Sequence, residues 1–217
     1  MGWLITLEGP EGAGKSTQIL RMEQYLQSRG VPCLRTREPG GTAVGDRIRE
    51  VLLDPSLPEM TRKTEILLYA ASRAQLVQEV IQPALRAGKV VLCDRFVDSS
   101  IAYQAYGPEG SLSEVVEINR MATGGLSPDR TYLLDLPPSE GLCRLEARGA
   151  FDRIERKGAS FHERVRQGFL NLADMEPDRF QVVKADRERE AIFADIRSDL
   201  DRLLAERQVA KDNPGRE

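Results

Sequence analysis

A glycine-rich segment near the N-terminus constrains the possible folds more than any other feature of the chain. Residues 9–16 read Gly-Pro-Glu-Gly-Ala-Gly-Lys-Ser and match the pattern G-x-x-x-x-G-K-[ST] at every position. Apolar residues 3–7 precede the segment, and residues 19–26 follow it with the periodicity of a helix. A strand, a glycine-rich turn and a helix in this order form a loop whose backbone N–H groups bind phosphates. The segment therefore predicts that the chain binds a nucleoside triphosphate.

Individual residues of this loop have expected roles. Lys15 is expected to reach the outer phosphates, and the hydroxyl of Ser16 is expected to ligate Mg2+. The complete set predicted to contact the nucleotide within the loop is Gly9, Pro10, Glu11, Gly12, Ala13, Gly14, Lys15, Ser16 and Thr17.

Composition predicts one globular domain that binds small molecules. The chain has 217 residues, 41% of them hydrophobic, and a net charge of -3, which argues against a broad surface for nucleic acid or membranes. No apolar run has membrane-spanning length, and the N-terminus lacks a signal-peptide pattern. Three widely spaced cysteines argue against a disulfide framework, so a cytoplasmic location is expected. The only histidine, His162, lies in a polar helical stretch and is expected at the surface or behind the site.

Alternation of short apolar runs with longer helical patterns predicts an α/β P-loop NTPase fold. A five-stranded parallel sheet with helices on both faces is expected. The predicted strands are residues 4–8, 32–37, 90–94, 131–135 and 180–184, and the predicted helices are 16–29, 43–53, 61–86, 98–106, 112–123, 139–148, 160–175 and 188–207. A single domain over 1–207 and a polar tail over 208–217 are expected. Acidic residues stand at four strand ends, where ligands bind in such sheets: Glu8, Glu38, Asp94 and Asp135.

Two turns after predicted strands carry charges suited to phosphates. Asp94 is placed to hold Mg2+ and Arg95 to neutralise a phosphate, although a helix cap and a structural ion pair would explain them as well. Arg37 and Glu38 lead into a turn rich in proline and glycine, which could be a plain connection. Arg49 adds a possible phosphate contact, and a solvated arginine is an equal alternative.

Two helical segments carry side chains suited to a base. Tyr69 and Arg73 are one turn apart on one helix face and could stack on a base and bond to it, although Tyr69 could equally belong to the core. Ser99 and Ser100 begin the segment after Arg95, where a serine cap is the alternative interpretation. Gln104 offers both a donor and an acceptor.

Residues 144–158 are dense in arginine and contain glycines that could act as hinges. A lid closing over the phosphates is the favoured interpretation, and a solvated helix end is the alternative.

Taken together, these motifs resemble those of the thymidylate kinase family. The P-loop, Arg-Glu-Pro-Gly-Gly, Ala-Ala-Ser-Arg, Asp-Arg-Phe-Val-Asp-Ser-Ser-Ile-Ala-Tyr-Gln and Arg-Gly-Ala-Phe-Asp-Arg occur in this order between residues 4 and 173. The resemblance implies transfer of the ATP γ-phosphate to dTMP, with Mg2+, in a homodimer. It implies a catalytic set of Lys15, Asp94, Arg95 and the lid residue Arg153, with Arg148 binding ATP. The implied dTMP contacts are Glu11, Arg37, Glu38, Arg49, Tyr69, Arg73, Arg95, Ser99, Ser100, Tyr103 and Gln104, with Ser16 and Asp94 at the metal.

Two departures from the family pattern are small. Tyr69 stands where phenylalanine is common, and Phe96 where tyrosine is common. Two other functions stay open: a kinase for another nucleotide, nucleoside or small acceptor, and a nucleotide-dependent switch with little turnover.

Overall fold

The computed structural model describes residues 2–108, 110–146, 149 and 151–212, the last six of these by their backbone alone. The prediction for Arg148 falls on a residue outside this described part.

Five strands form one parallel sheet. They are β1 (Trp3–Glu8), β2 (Cys33–Arg37), β3 (Val90–Asp94), β4 (Arg130–Asp135) and β5 (Phe180–Lys184), in the spatial order β2-β3-β1-β4-β5. All five predicted strands are confirmed to within one residue at each end. β3 lies between β2 and β1, and Asp94 is in register with Arg37 on one side and with Leu7 on the other. The carboxyl ends of these three strands therefore meet at one edge, where ligands bind in sheets of this kind.

Helices surround this sheet. Within the described residues they are α1 (Lys15–Ser28), α2 (Ala43–Leu53), α3 (Arg62–Leu76), α4 (Gln82–Arg86), α5 (Val97–Ser100), α6 (Leu112–Thr123), α7 (Pro138–Glu146), α8 (Ala159–Met175) and α9 (Arg189–Asp212). None of these helices is both long enough and apolar enough to span a membrane.

The core has layers on both faces of the sheet because successive side chains of a strand point to opposite sides. In β1, Ile5 and Leu7 pack with Met22 of α1 and with the apolar side of α9. Leu4, also in β1, packs with Leu76 of α3 on the other face. The predicted arrangement of helices on both faces is confirmed.

Two predicted helices contain π-helical segments. The predicted helix over 61–86 consists of α3, a π-helical segment Val77–Ile81 and α4, and the one over 98–106 consists of α5 and a π-helical segment Ile101–Tyr106. Periodicity cannot distinguish a π-helical turn from an α-helical one over so few residues, and such turns are frequent at functional sites. The second segment contains Tyr103 and Gln104, both of which line the cleft described below.

The C-terminal helix is longer than predicted. α9 ends at Asp212, so the tail expected from residue 208 begins inside the helix. The residues after 204 are mostly good helix formers, and no glycine or proline interrupts them before Pro214.

Candidate active site

A cleft of about 520 Å³ opens at the carboxyl ends of β1, β2 and β3. It brings together most of the predicted site residues from segments far apart in the chain. Those lining it are Glu11, Gly12, Gly14, Lys15, Ser16, Thr17, Arg37, Glu38, Arg49, Tyr69, Arg73, Asp94, Arg95, Ser99, Ser100, Tyr103 and Gln104. Gly9, Pro10 and Ala13 belong to the same loop but do not line the cleft, and neither does Arg153.

The glycine-rich loop after β1 approaches other backbone segments so closely that two of its residues must be glycine. Gly9 has a φ of 135°, and a Cβ atom there would lie 2.4 Å from the carbonyl oxygen of Leu134. Gly12 has a φ of 72°, and its Cβ would lie 2.5 Å from the carbonyl oxygen of Gly141. The left-handed backbone and the close approach exclude a side chain at both positions. The loop leads directly into the N-terminus of α1, the arrangement that binds phosphates.

Lys15, the first residue of α1, lies folded over this loop. Its Nζ donates to the carbonyl oxygens of Gly9 at 3.0 Å and Pro10 at 2.8 Å. Burial, followed by the nearby charge of Arg95, lowers the pKa of Lys15 to about 8. The loop therefore holds a buried cation that a polyanion would stabilise.

Ser16 and Asp94 form the oxygen pair expected at a metal. The Ser16 hydroxyl donates to Asp94 Oδ2 at 3.2 Å, so the helix start and the end of β3 meet. Mg2+ is usually bound by one or two protein oxygens together with substrate phosphates and water. A hydroxyl and a carboxylate beside the phosphate loop fit that requirement, and among the described residues no larger cluster of acidic, histidine or cysteine ligands occurs.

The turn after β3 has an unusual backbone conformation at Arg95. This residue has a φ of 70°, in the left-handed region that costs energy for a side chain other than glycine. Its N–H donates to the carbonyl oxygen of Leu7 at 2.9 Å, and the next N–H, of Phe96, donates to Glu8 Oε1 at 2.7 Å. Ser99 donates to the other oxygen of Glu8 at 2.5 Å. Glu8 thus stabilises the turn through these hydrogen bonds and does not line the cleft. Burial raises the pKa of Glu8 to about 8.

The guanidinium group of Arg95 joins the loop to the segment containing Tyr103. It donates to the carbonyl oxygen of Gly9 and to Ser99 Oγ, both at 3.0 Å, and to the Tyr103 hydroxyl at 3.2 Å. It also pairs with Glu11, whose other oxygen accepts a 3.0 Å hydrogen bond from Tyr103. Burial would raise the pKa of Glu11, but the positive charges of Arg95 and Lys15 outweigh it and lower the pKa. This cluster therefore keeps a carboxylate and a guanidinium ionised inside the cleft.

A second basic region lies beyond β2. Arg49 of α2 donates to the carbonyl oxygen of Pro39 at 3.1 Å, and Arg37 makes only a 3.4 Å contact with Asp46 at the exposed rim. Burial, followed by the charge of Arg37, lowers the pKa of Arg49. Within the described residues neither guanidinium group is strongly paired with a carboxylate, so these two neighbouring groups are suited to bind an anion. The Glu38–Pro39 peptide bond that leads into this turn is cis.

Arg73 is more tightly held than its predicted contact with a base requires. Its Nε donates to Glu38 Oε2 at 2.7 Å, and its terminal nitrogens donate to Ser100 Oγ, Asn119 Oδ1 and the carbonyl oxygen of Phe96. Each of its nitrogens therefore already has a partner, and the residue is 1% exposed. Arg73 connects α3 to the turns after β2 and β3, and its predicted base contact stays a prediction. Glu38 Oε1, in contrast, is buried without a hydrogen-bond partner among the described residues.

Gln104 presents an unpaired acceptor. Its Nε2 donates to Glu65 Oε1 at 3.1 Å, whereas its Oε1 is buried and has no partner in the part of the chain that the structure describes. Tyr69, on the same helix as Glu65, also lines the cleft, and burial raises the pKa of its hydroxyl so that it stays neutral. An aromatic ring and an unpaired amide oxygen are suited to a flat ligand that donates a hydrogen bond.

The structure places Arg153 in a position that the sequence did not predict. Its guanidinium pairs with Glu65 at 2.7 Å and its Nε donates to the carbonyl oxygen of Leu52 at 2.8 Å. The lid residues that do line the cleft are Leu145, Asp152, Ile154 and Glu155. The guanidinium group of Arg153 is therefore held in a buried ion pair by a carboxylate of α3 and does not line the cleft.

Sequence reasoning missed or misplaced three further residues. Glu65 was not identified, because its importance depends on Gln104 and Arg153, which are distant in sequence. His162 is 3% exposed and packs edge-on against Phe161, so of the two positions expected for it the one at the surface is wrong. The polar sequence around it conceals the buried face of α8.

Asp135 lies at a strand end as predicted, but it forms an ion pair with Arg166 at 2.7 Å and does not line the cleft.

The parallel sheet, the glycine-rich loop at the start of α1 and the paired Ser16 and Asp94 define a P-loop nucleotide-binding protein. Comparison with known proteins identifies the family. The family model described as thymidylate kinase matches residues 7–196. The chain is 50% identical over 207 residues to the thymidylate kinase of Exiguobacterium sibiricum, covering 95% of this chain and 98% of that protein. It is 54% identical over 195 residues to the enzyme of Deinococcus radiodurans, covering 90% and 94%.

A solved structure agrees with these matches. The crystal structure of thymidylate kinase from Ehrlichia chaffeensis superposes with a TM-score of 0.75 at 30% identity, covering 92% of this chain and 98% of that one. The chain belongs to the thymidylate kinase family.

Proposed function

We propose that this chain transfers the γ-phosphate of ATP to dTMP, giving dTDP and ADP. The observation that carries the proposal is the presence of two anion-binding regions in one cleft. Lys15 and Ser16 form one of them, and Arg37 and Arg49 form the other. Burial lowers the pKa of both Lys15 and Arg49, and the positive charge of Arg95 lowers both further. Arg95 therefore lies close to both regions. Two phosphorylated substrates that must meet require this arrangement.

The residues of the cleft suit phosphoryl transfer without a general base. The attacking oxygen of a nucleoside monophosphate is already an anion at neutral pH, so the difficulty is the repulsion between two polyanions. Lys15 and Arg95 would neutralise the transferring group, and Arg37 and Arg49 would hold the acceptor phosphate. Ser16 and Asp94 would hold Mg2+, which supplies further charge neutralisation when bound.

The base end of the cleft favours thymine. Tyr69 offers a ring for stacking, and the unpaired Oε1 of Gln104 can accept the N3–H of thymine. Tyr103 would lie against the deoxyribose, with its hydroxyl held by Glu11.

The experiment that tests this function is ADP release with ATP and Mg2+ and with dTMP, dUMP, dCMP, dGMP or AMP as acceptor. We expect rapid turnover with dTMP, slower turnover with dUMP, which lacks the methyl group, and little with the others. ADP release that is indifferent to every acceptor would contradict the proposal and favour a nucleotide switch.

The lowered pKa of Lys15 predicts proton uptake when ATP binds. Near pH 8, about half of the Lys15 side chains are neutral in the free protein, because burial lowers the pKa to about 8. Bound phosphates favour the ammonium form and raise this pKa, so we expect uptake of about half a proton per ATP at pH 8 and almost none at pH 6. Calorimetry in buffers of different ionisation enthalpy, analysed against the known protonation of ATP itself, measures this number. Equal uptake at both pH values would contradict the expectation.

We also propose a homodimer formed through α3 and α6. Three large apolar side chains on these helices are 42–72% exposed, namely Leu67, Val116 and Met121. The apolar segment after Ser99 is packed inside the chain's own core. Sedimentation of the wild type and of a Met121→Glu variant would detect the dimer and its loss. The cytoplasmic location stays a prediction from the cysteine pattern.

A further inference from the structure

Glu65 connects two parts of the site without lining the cleft itself. It lies in the first turn of α3, is 4% exposed, and uses both carboxylate oxygens. Oε1 accepts the 3.1 Å hydrogen bond from Gln104, and Oε2 forms an ion pair with Arg153 at 2.7 Å and lies 3.5 Å from the Lys157 ammonium. Glu65 can therefore act on a bound substrate only through these neighbours.

The carboxylate of Glu65 determines which way the amide of Gln104 faces. An ionised carboxylate only accepts hydrogen bonds, whereas a glutamine amide has a donor end and an acceptor end that are interchanged by a half-turn about its last torsion. Turning the amide would place its oxygen against the oxygen of Glu65 and break the hydrogen bond that its nitrogen donates to that oxygen. The ion pairs of Oε2 with Arg153 and Lys157 hold the carboxylate of Glu65 in place beside Gln104. The atom of Gln104 left for a ligand is consequently Oε1, which is buried and unpartnered within the described residues.

We propose that Glu65 sets the base preference of this enzyme by holding Gln104 with its acceptor toward the base. This rests on the proposed function, in which a nucleoside monophosphate base occupies this end of the cleft. A base with an N–H between two carbonyl groups, such as thymine or uracil, donates to Oε1 of Gln104. Cytosine carries a bare nitrogen at that position, so two acceptors would face each other and the buried oxygen would stay unpaired. Glu65 is a positioning residue in this scheme, because it touches no substrate atom.

The variant Glu65→Gln tests the proposal because an amide can present a donor to Gln104 and let its side chain turn. The quantity measured is the ratio of kcat/KM for dTMP to that for dCMP, with the competitive inhibition constant of dCMP where its turnover is too slow. We expect this ratio to fall by on the order of 10-fold, the value of one hydrogen bond. The matched control is Glu23→Gln, since Glu23 lies on α1 away from the cleft and makes a 2.8 Å ion pair with Arg35 of β2. The control should keep the wild-type ratio.

A second pair of variants guards against misfolding. Glu65→Gln leaves Arg153 with a buried charge and no carboxylate, which could prevent folding. The double variant Glu65→Gln with Arg153→Gln removes both charges, and its reference is Arg153→Gln alone. Both variants lack Arg153, so any effect of Arg153 on turnover is common to both substrates and to both variants. The ratio should again be about 10-fold lower in the double variant than in its reference.

The outcomes separate this inference from the proposed function. If the wild type does not phosphorylate dTMP, the proposed function fails before any variant is made. If the wild type prefers dTMP and neither Glu65→Gln nor the double variant changes the ratio, Glu65 only stabilises the fold and the inference is wrong. A lower ratio in either comparison, with the control unchanged, supports it.

Discussion

Replacement of Lys15 by methionine is expected to lower kcat for dTMP phosphorylation by on the order of 10³, the upper range for loss of one preorganised donor at a developing charge. In the free protein, Nζ of Lys15 lies 3.0 and 2.8 Å from carbonyl oxygens of Gly9 and Pro10. Bound phosphates would replace these carbonyls as its partners. Methionine keeps the apolar length of the side chain and removes the charge, so the loop should keep its shape. Steady-state kinetics at saturating ATP and dTMP measures the change.

Two comparisons show whether the loss of kcat comes from phosphate chemistry. Lys184→Met removes an exposed ammonium at the end of β5, outside the cleft, and should leave kcat at the wild-type value. The thermal midpoint of nucleotide-free Lys15→Met should be no lower than that of the wild type, because burying an ammonium group is costly. An undiminished kcat in Lys15→Met would exclude this lysine from the transfer step.

Replacement of Arg153 by alanine is expected to have two separate effects. If Arg153 reaches the transferring phosphate when residues 151–158 close, kcat falls by on the order of 10³. The buried ion pair with Glu65 must be exchanged for phosphate in that closure. Removing Arg153 also leaves Glu65, among the described residues, with Lys157 at 3.5 Å as its remaining cation, and we expect the free energy of unfolding to fall by about 3 kcal/mol. Kinetics measures the first effect, and urea denaturation of the free protein measures the second.

Arg166→Ala is the matched control for Arg153→Ala. Arg166 donates two hydrogen bonds to Asp135, at 2.7 and 3.0 Å, and does not line the cleft. Its removal should lower stability and leave kcat unchanged. Loss of stability with a wild-type kcat in Arg153→Ala as well would show that Arg153 serves only the ion pair seen in this structure.

The features that sequence alone determined are those encoded by neighbouring residues. The phosphate loop requires a strand, left-handed glycines at Gly9 and Gly12, and a helix beginning at Lys15, all within a few positions. The five strands and their parallel arrangement follow from hydrophobic periodicity and the alternation with helices. Most of the cleft lining was predictable as well, because parallel strands bring their carboxyl ends, and the residues that follow, to one edge.

Tertiary structure alone decided the partners of the buried charged groups. Glu65 lies 39 positions from Gln104 in the chain, and Arg153 donates to a carbonyl oxygen 101 positions away. Arg73 fits the predicted helix face, yet packing directs its donors to Glu38, Ser100 and Asn119. Local propensities carry no information about such pairs, because a buried charge takes whichever opposite charge or polar atom the folded core places within reach. The sequence therefore predicts which residue types form the site, whereas the directions in which the side chains of Gln104 and Arg153 face depend on the completed fold.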